Sequence, residues 1–447
     1  MRRWKTSHYI VLIAALTVLG LALLAFPTAV RSLPGRYAYY LPEPLQAMRH
    51  SDHPMTLPTP ETAPVVYASE PTAIPTWTPS PTPTPTPTLA DTQTPAPSAT
   101  PSPLPTSTPT PLAAVQLEGI EHERQGWNNC GPTTLAMALS YWGSDDGQFD
   151  IAPLLKPDPE DKHVGIHQME GFARQQGLGT AIRVGGSLEQ LKELLRAQFP
   201  VIVESWYVRD AQDQLGHYRL VAGYDDAQQH FDMYDSLYDP PTTLGYQELD
   251  ELWRVFNRTY MVVYSQDRWE ELAQVLKLEA PPAPSQMPEL VGPELADAAM
   301  YEQALQTARA ELASPPASCV AYADCADWLA FSWFNIGTNL TALGRYEEAA
   351  TAYDQARQLG LHYRMLWYQF GPYEAYYAAG RYDDVIALTN ATLATARNLE
   401  DSYYWRGKAR LAQGDREGAR ADFKAALRYH EGWEPATLAL AALDDTS

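Results

Sequence analysis

The chain has 447 residues, with 32 Lys and Arg against 54 Asp and Glu, for a formal net charge of −22. So acidic a chain, without Lys/Arg patches, lacks the cationic surface that phosphate backbones require, which excludes nucleic acid as a partner. Three cysteines exclude a disulfide-dense scaffold and a four-thiolate zinc site.

Residues 1–8 form a basic tail with Arg2, Arg3 and Lys5, and Tyr9 to Phe26 runs eighteen residues without a charge. At about 1.5 Å per residue that run nearly spans a ~30 Å hydrocarbon layer. Residues 9–30 are therefore expected to be a transmembrane signal anchor. The tail would be cytoplasmic and the folded domains extracellular, a single-pass protein of the cell membrane. A cleaved signal peptide is the competing reading. Residues 31–114 read as a disordered Pro/Thr/Ser-rich stalk, because 18 of the 38 prolines fall between Pro54 and Pro111. Alternating proline favours extended polyproline II.

Folded sequence is expected over 115–267. A helix opens at Cys130-Gly131-Pro132, where proline suits a first turn. Amphipathic helices follow at His167–Gln176 and Leu188–Ala197, the latter with Ser187 as N-cap. Strands are read from Val201, His217, His230 and Thr259, with a helix over Tyr246–Trp253 before the last. The pattern indicates an α+β fold with an antiparallel sheet.

Cys130 at a helix start is a candidate nucleophile, since a helix N-terminus lowers a thiol pKa and the thiolate attacks. Gln125, five residues upstream, is placed to stabilise an oxyanion. His217 opens one strand and Asp235 closes the next, so adjacent antiparallel strands would set a base beside the group that orients it. His163 and His167 stand four apart with Glu170 near, a possible metal spacing. No further ligand is evident, so neither metal nor cofactor is assigned.

The segments QGWNNCGPTTLAMAL, GHYRLVAGYDD and FDMYDS, in this order, resemble the papain-like bacteriocin-processing cysteine peptidase superfamily. The resemblance implies Cys130 as nucleophile, His217 as base, Asp235 as orienting acid and Gln125 as oxyanion donor. Members of that family often carry proline after the aspartate, so Asp239-Pro240 is a rival for the orienting role.

After a linker at 268–292, residues 293–447 read as a helical repeat domain led by a helix from about Pro293 to Leu312. Gly344, Gly380 and Gly414 lie 36 and 34 residues apart, close to the roughly 34-residue tetratricopeptide period. Residues 327–443 resemble tetratricopeptide repeats, an all-α solenoid. Trp367, Tyr368, Tyr373, Tyr376 and Tyr377 are expected either to line a groove for a protein partner or to pack between helices. In an exported chain Cys319 and Cys325 are expected disulfide partners, leaving Cys130 free.

The expectation is an exported, membrane-anchored thiol peptidase that cleaves a peptide or amide bond in a peptide or protein substrate. The repeats would bind a protein partner. The alternatives are a non-enzymatic scaffold with a degenerate peptidase fold, and acyl transfer by the same thiol.

Overall fold

The computed structural model describes residues 112–209, 213–240, 242–278, 298–316, 318–320 and 326–445, with the short stretches 25–30 and 56–60 and single positions between 32 and 45. Seven strands form one antiparallel sheet: β1 (Ala114–Gln116), β2 (Gly179–Arg183), β3 (Val201–Val208), β4 (Gln214–Asp225), β5 (His230–Tyr234), β6 (Thr242–Gly245) and β7 (Tyr260–Tyr264). Their order is β2-β7-β3-β4-β5-β6, with β1 paired to the far end of β4. β3 and β4 are the long central pair, in register from Val201↔Val221 to Val208↔Gln214. Their β-branched and aromatic residues suit a pleated surface buried on both faces.

Helix α1 (Cys130–Ser140) lies on β4. Every residue from Gly131 to Leu139 is buried, so the helix has no polar face and belongs to the core. Around it pack α2 (Gln148–Leu155) and α3 (Ile166–Gln175). Helix α4 (Leu188–Arg196) begins where the N-cap was expected, with Ser187 Oγ accepting the Gln190 N–H at 3.1 Å. Helix α5 spans Tyr246–Trp253, as read, and runs into a 3-10 turn at Arg254–Phe256. α6 (Trp269–Val275) lies in the segment read as linker, and its Leu272 is buried in the sheet's core.

The C-terminal region is helical: α7 (Ala298–Ala313), α8 (Ala326–Ala342), α9 (Tyr346–Gln358), α10 (Gly371–Ala378), α11 (Tyr382–Thr395), α12 (Glu400–Ala412), α13 (Arg416–Tyr429) and α14 (Glu434–Asp445). From α7 to α14, consecutive helices pack on one another. Gly344, Gly380 and Gly414 make the tight turns after α8, α10 and α12 at φ +70°, +72° and +89°, a conformation that costs glycine little. Between α9 and α10 the chain instead makes a longer excursion through a 3-10 turn at Tyr363–Trp367.

The sheet domain and the helices share a second core. Trp206, Leu252, Val255 and Phe256 pack there with Phe331, Phe334, Tyr353 and Met365. Polar contacts fasten the same junction. Asn257 and Asn339 exchange amide hydrogen bonds at 2.8 and 3.0 Å, and buried Arg254 donates to Glu311 and to the Trp328 carbonyl, both at 3.2 Å.

The membrane expectation requires correction. Among the described residues no helix is long and apolar enough to cross a membrane, so a single-pass anchor carrying extracellular domains is not supported. Of the proposed span 9–30, residues 9–24 lie outside the described residues, and residues 25–30 are helical. Most of the expected stalk also lies outside the described residues. Within it, Thr56–Pro60 is docked on the helices: Leu57 is buried, its N–H donates to the Leu361 carbonyl at 2.9 Å, and Arg357 Nε donates to the Pro58 carbonyl at 2.8 Å. The expected groove aromatics Tyr373 and Tyr376 are fully buried between helices, and Trp367 nearly so. Cys319 is disulfide-bonded and Cys130 is a free thiol, while the expected partner Cys325 lies outside the described residues.

Candidate active site

The loop entering α1 is held by one buried glutamine absent from the sequence expectations. Gln148 Oε1 accepts from the Gly126 N–H at 2.6 Å and from Asn129 Nδ2 at 3.0 Å. Its amide donates to Glu123 Oε1 and to the Arg124 carbonyl, both at 2.7 Å. Asn128 takes a left-handed φ of +54°, and the Asn129 carbonyl accepts an N–H of the first turn, from Thr133, at 2.9 Å. Cys130 is thereby set at the first position of α1, half-buried.

His217 stands on β4 and Asp235 just past β5, and β4 pairs with β5 as the spacing required. Both side chains are buried, with His217 Nε2 2.8 Å from Asp235 Oδ1. The carboxylate can only accept, so Nε2 carries the hydrogen. Nδ1 is buried and has no hydrogen-bond partner among the described residues; the ring is coupled electrostatically to the Cys130 thiol. Asp235 also accepts the Leu237 N–H at 2.9 Å on Oδ1 and Arg219 Nε at 2.9 Å on Oδ2. Arg219 is anchored by the Ser205 hydroxyl and the Trp206 carbonyl.

These contacts determine the charges. Burial alone would push the Cys130 thiol up, but His217, the Tyr218 backbone and Lys156 bring it below the ordinary value. Burial opposes a charge on His217, yet Asp235 and the thiol raise its pKa. Asp235 is buried too, and His217, Arg219 and the Leu237 N–H hold it well below the usual carboxylate range. All three shifts run in the direction that favours the charged form of each group, in a poorly solvated site.

Gln125 is tied to the strand end that carries Asp235. Its N–H donates to the Ser236 carbonyl at 2.9 Å and its Oε1 accepts the Ser236 hydroxyl at 2.7 Å. Asp239, the rival to Asp235, pairs instead with Arg124 at 3.1 Å on the surface. His163 and His167 part company. His163 is packed against Phe370 with its pKa pushed down to about 4, chiefly by burial, whereas His167 pairs with Glu170 at 3.2 Å. Among the described residues no group of three His, Cys, Asp or Glu is arranged to hold a metal ion.

A small pocket adjoins Cys130, lined among others by Gly131, Val164, Glu204, Tyr218 and Tyr368. Tyr368 comes from the excursion between α9 and α10, so the helical region supplies part of the wall. The excursion is fastened beside the site. Arg364 Nη1 donates to Asp213 Oδ1 and to the Gln214 carbonyl at 2.8 Å each, and Lys162 lies over the rings of Trp127 and Trp367 at 4.9 and 5.3 Å. The Tyr368 and Phe256 rings cover Gly216, next to His217: a Cβ there would meet Tyr368 Cδ2 at 3.0 Å and Phe256 Cζ at 2.9 Å. The sequence expectations omitted Arg219, Gln148 and Glu204, and named Tyr368 only as a groove or packing aromatic of the helical region. Arg219 and Glu204 carried a signal, each a charge inside an otherwise apolar strand pattern.

Residues 114–268 match the model of the Peptidase_C39 like family. Among solved structures, a C39-like peptidase from Bacillus anthracis shares 16% identity over 34% of this chain and 96% of that chain, with a TM-score of 0.28. The first tetratricopeptide repeat of Spaghetti (RPAP3), bound to an HSP90 peptide, shares 22% identity over 26% of this chain and 91% of that chain, with a TM-score of 0.24. No curated protein matches the chain.

Proposed function

We propose that the sheet domain is a cysteine peptidase acting on a peptide or protein substrate, and that the C-terminal helices are tetratricopeptide-type repeats that contact a protein partner. The observation that carries the first reading is the 2.8 Å contact between the buried His217 ring and the Asp235 carboxylate, with the Cys130 thiol electrostatically coupled to the same ring. The Peptidase_C39-like match over the same residues supports it.

The Cys130 thiolate attacks the scissile carbonyl carbon, and the carbonyl electron pair moves to oxygen. The Cys130 backbone N–H at the helix start faces the developing oxyanion. Gln125 has its Oε1 committed to Ser236, which leaves its amide NH2 for the same oxygen; each such donor is typically worth about 2.7–4 kcal/mol. The His217 imidazolium gives its Nδ1 proton to the leaving nitrogen as the C–N bond breaks, leaving a thioester. The ring then takes a proton from water as the oxygen attacks the thioester, and collapse returns the thiolate and a carboxylic acid. Asp235 keeps the ring oriented throughout.

The test is labelling of the purified protein with a thiol-directed peptidase inhibitor, alongside cleavage of a peptide library. Wild type should label at Cys130 and cleave. Cys130→Ala should do neither. A library cleaved equally well by Cys130→Ala would refute the thiol mechanism.

A further inference from the structure

The pocket beside Cys130 holds a feature that the peptidase chemistry leaves unused. Glu204, on β3 and opposite Tyr218 in the sheet register, is 8% exposed and lines this pocket. A carboxyl so deep costs free energy unless something pairs with it, yet among the described residues no cation forms an ion pair with Glu204. Lys162, also on the pocket wall, lies over the rings of Trp127 and Trp367. Lys156 donates to the Trp127 carbonyl at 3.2 Å. The charge that acts on Glu204 is instead that of the Cys130 thiol, of like sign; burial and that charge raise its pKa to about 8 against the lowering effect of a hydrogen bond with the Tyr218 hydroxyl.

The rest of the pocket narrows the class of occupant. It has room for about one water-sized group, and Tyr218 and Tyr368 form part of its wall. A compact cation fits that space, is stabilised by aromatic faces, and gives the buried carboxyl its missing counter-charge. A bulky apolar side chain does not fit and leaves Glu204 without a counter-charge.

We propose that this pocket binds a primary ammonium group of the substrate, held by Glu204 on β3 and by the Tyr368 ring of the helical region, and so selects substrates that carry an amine beside the bond to be cleaved. The proposal rests on the peptidase reading for the identity of the substrate, but not for the existence of the site. Two sources share this chemistry, a lysine side chain and a free peptide N-terminus. The helical region acts here as a specificity element, because the aromatic wall comes from a residue more than two hundred positions beyond the nucleophile in the chain.

The experiment measures how fast iodoacetamide alkylates Cys130 in the full chain, with three small probes added in turn. These are N-acetyl-lysine amide (side-chain ammonium), alaninamide (α-ammonium) and N-acetyl-norleucine amide (neutral). At least one amine should slow alkylation about tenfold at a concentration where the neutral probe has little effect, and the stronger amine identifies the source. Glu204→Gln should abolish that selectivity while its Cys130 remains alkylable, and Tyr368→Leu should reduce it. Equal protection by all three probes, or selectivity unchanged in Glu204→Gln, overturns the proposal. The wild-type comparison decides even if a variant fails to fold. Cleavage is read separately: selective protection without any peptide cleavage upholds the ammonium site and removes the peptidase reading.

Discussion

Arg219 Nε donates to Asp235 Oδ2 at 2.9 Å, on the side of the carboxylate opposite the oxygen bonded to His217. Both residues of this ion pair are nearly fully buried. Removing one partner of a buried pair typically costs about 3–5 kcal/mol, because the other charge is left unpaired. Arg219→Met should fall at the lower end, near 3 kcal/mol, since Asp235 keeps His217. Urea unfolding checks this, and a loss below about 1 kcal/mol would show that Asp235 needs only the histidine.

The thiol titration should expose the coupling of Cys130 to His217. Wild-type Cys130 should alkylate with a midpoint below the ordinary thiol value of 9.0. In His217→Ala the burial remains while the main lowering influence is gone, so the midpoint should move above that value. Asp235→Asn should lie between the two. Mass analysis of the Cys130 peptide across pH reads all three; an unchanged midpoint in His217→Ala would contradict the ion pair.

Glu204 should make the fold less stable as pH rises. Its pKa climbs from an ordinary 4.5 to about 8 in the folded chain. The folded state therefore holds this proton more tightly than the unfolded chain does. Its contribution is complete below about pH 4, declines through neutrality and levels off above about pH 8. Glu204→Gln should remove that decline, so the gap between variant and wild type should widen from pH 5 to pH 8.5. Urea midpoints at the two pH values test it, and parallel pH curves would place the proton elsewhere.

Gly216 should tolerate no side chain while Tyr368 and Phe256 cover it. A Cβ would lie 2.9–3.0 Å from both rings, and overpacking of this kind typically costs about 1–3 kcal/mol. Gly216→Ala should lose stability in that range and slow the alkylation or turnover chemistry at the neighbouring His217. Adding Tyr368→Leu should recover part of the stability, because the two sites share one contact. Strict additivity in the double mutant would mean that the rings do not meet this backbone.

How much could be read in advance differs from residue to residue. Ser187 as a cap, the bounds Tyr246–Trp253 and the four main strands were legible because capping, amphipathic spacing and β-branched runs are local properties. β1 and β6, with three and four residues, carry too little alternation to be seen. The helix holding Gln148 contains Pro153, which reads as a breaker. Cys130, His217 and Asp235 could be named from helix start and strand spacing, since antiparallel pairing converts an eighteen-residue separation into adjacency. Asp235 and Asp239, by contrast, are both acids near one turn. Only the fold decides that the first meets His217 while the second meets Arg124.

The sequence by itself determined two kinds of folded region and the residue types a thiol site requires, because periodicity, caps and turn glycines act over a few residues of chain. The tertiary structure alone decided that the regions share a core, that Tyr368 reaches the cysteine pocket and that Glu204 lies buried there with no ion-pair partner among the described residues. Those outcomes depend on burial and on contacts between segments far apart in the chain. No local pattern encodes the desolvation of a carboxyl or the approach of a distant ring, since both arise only when the chain has closed around them.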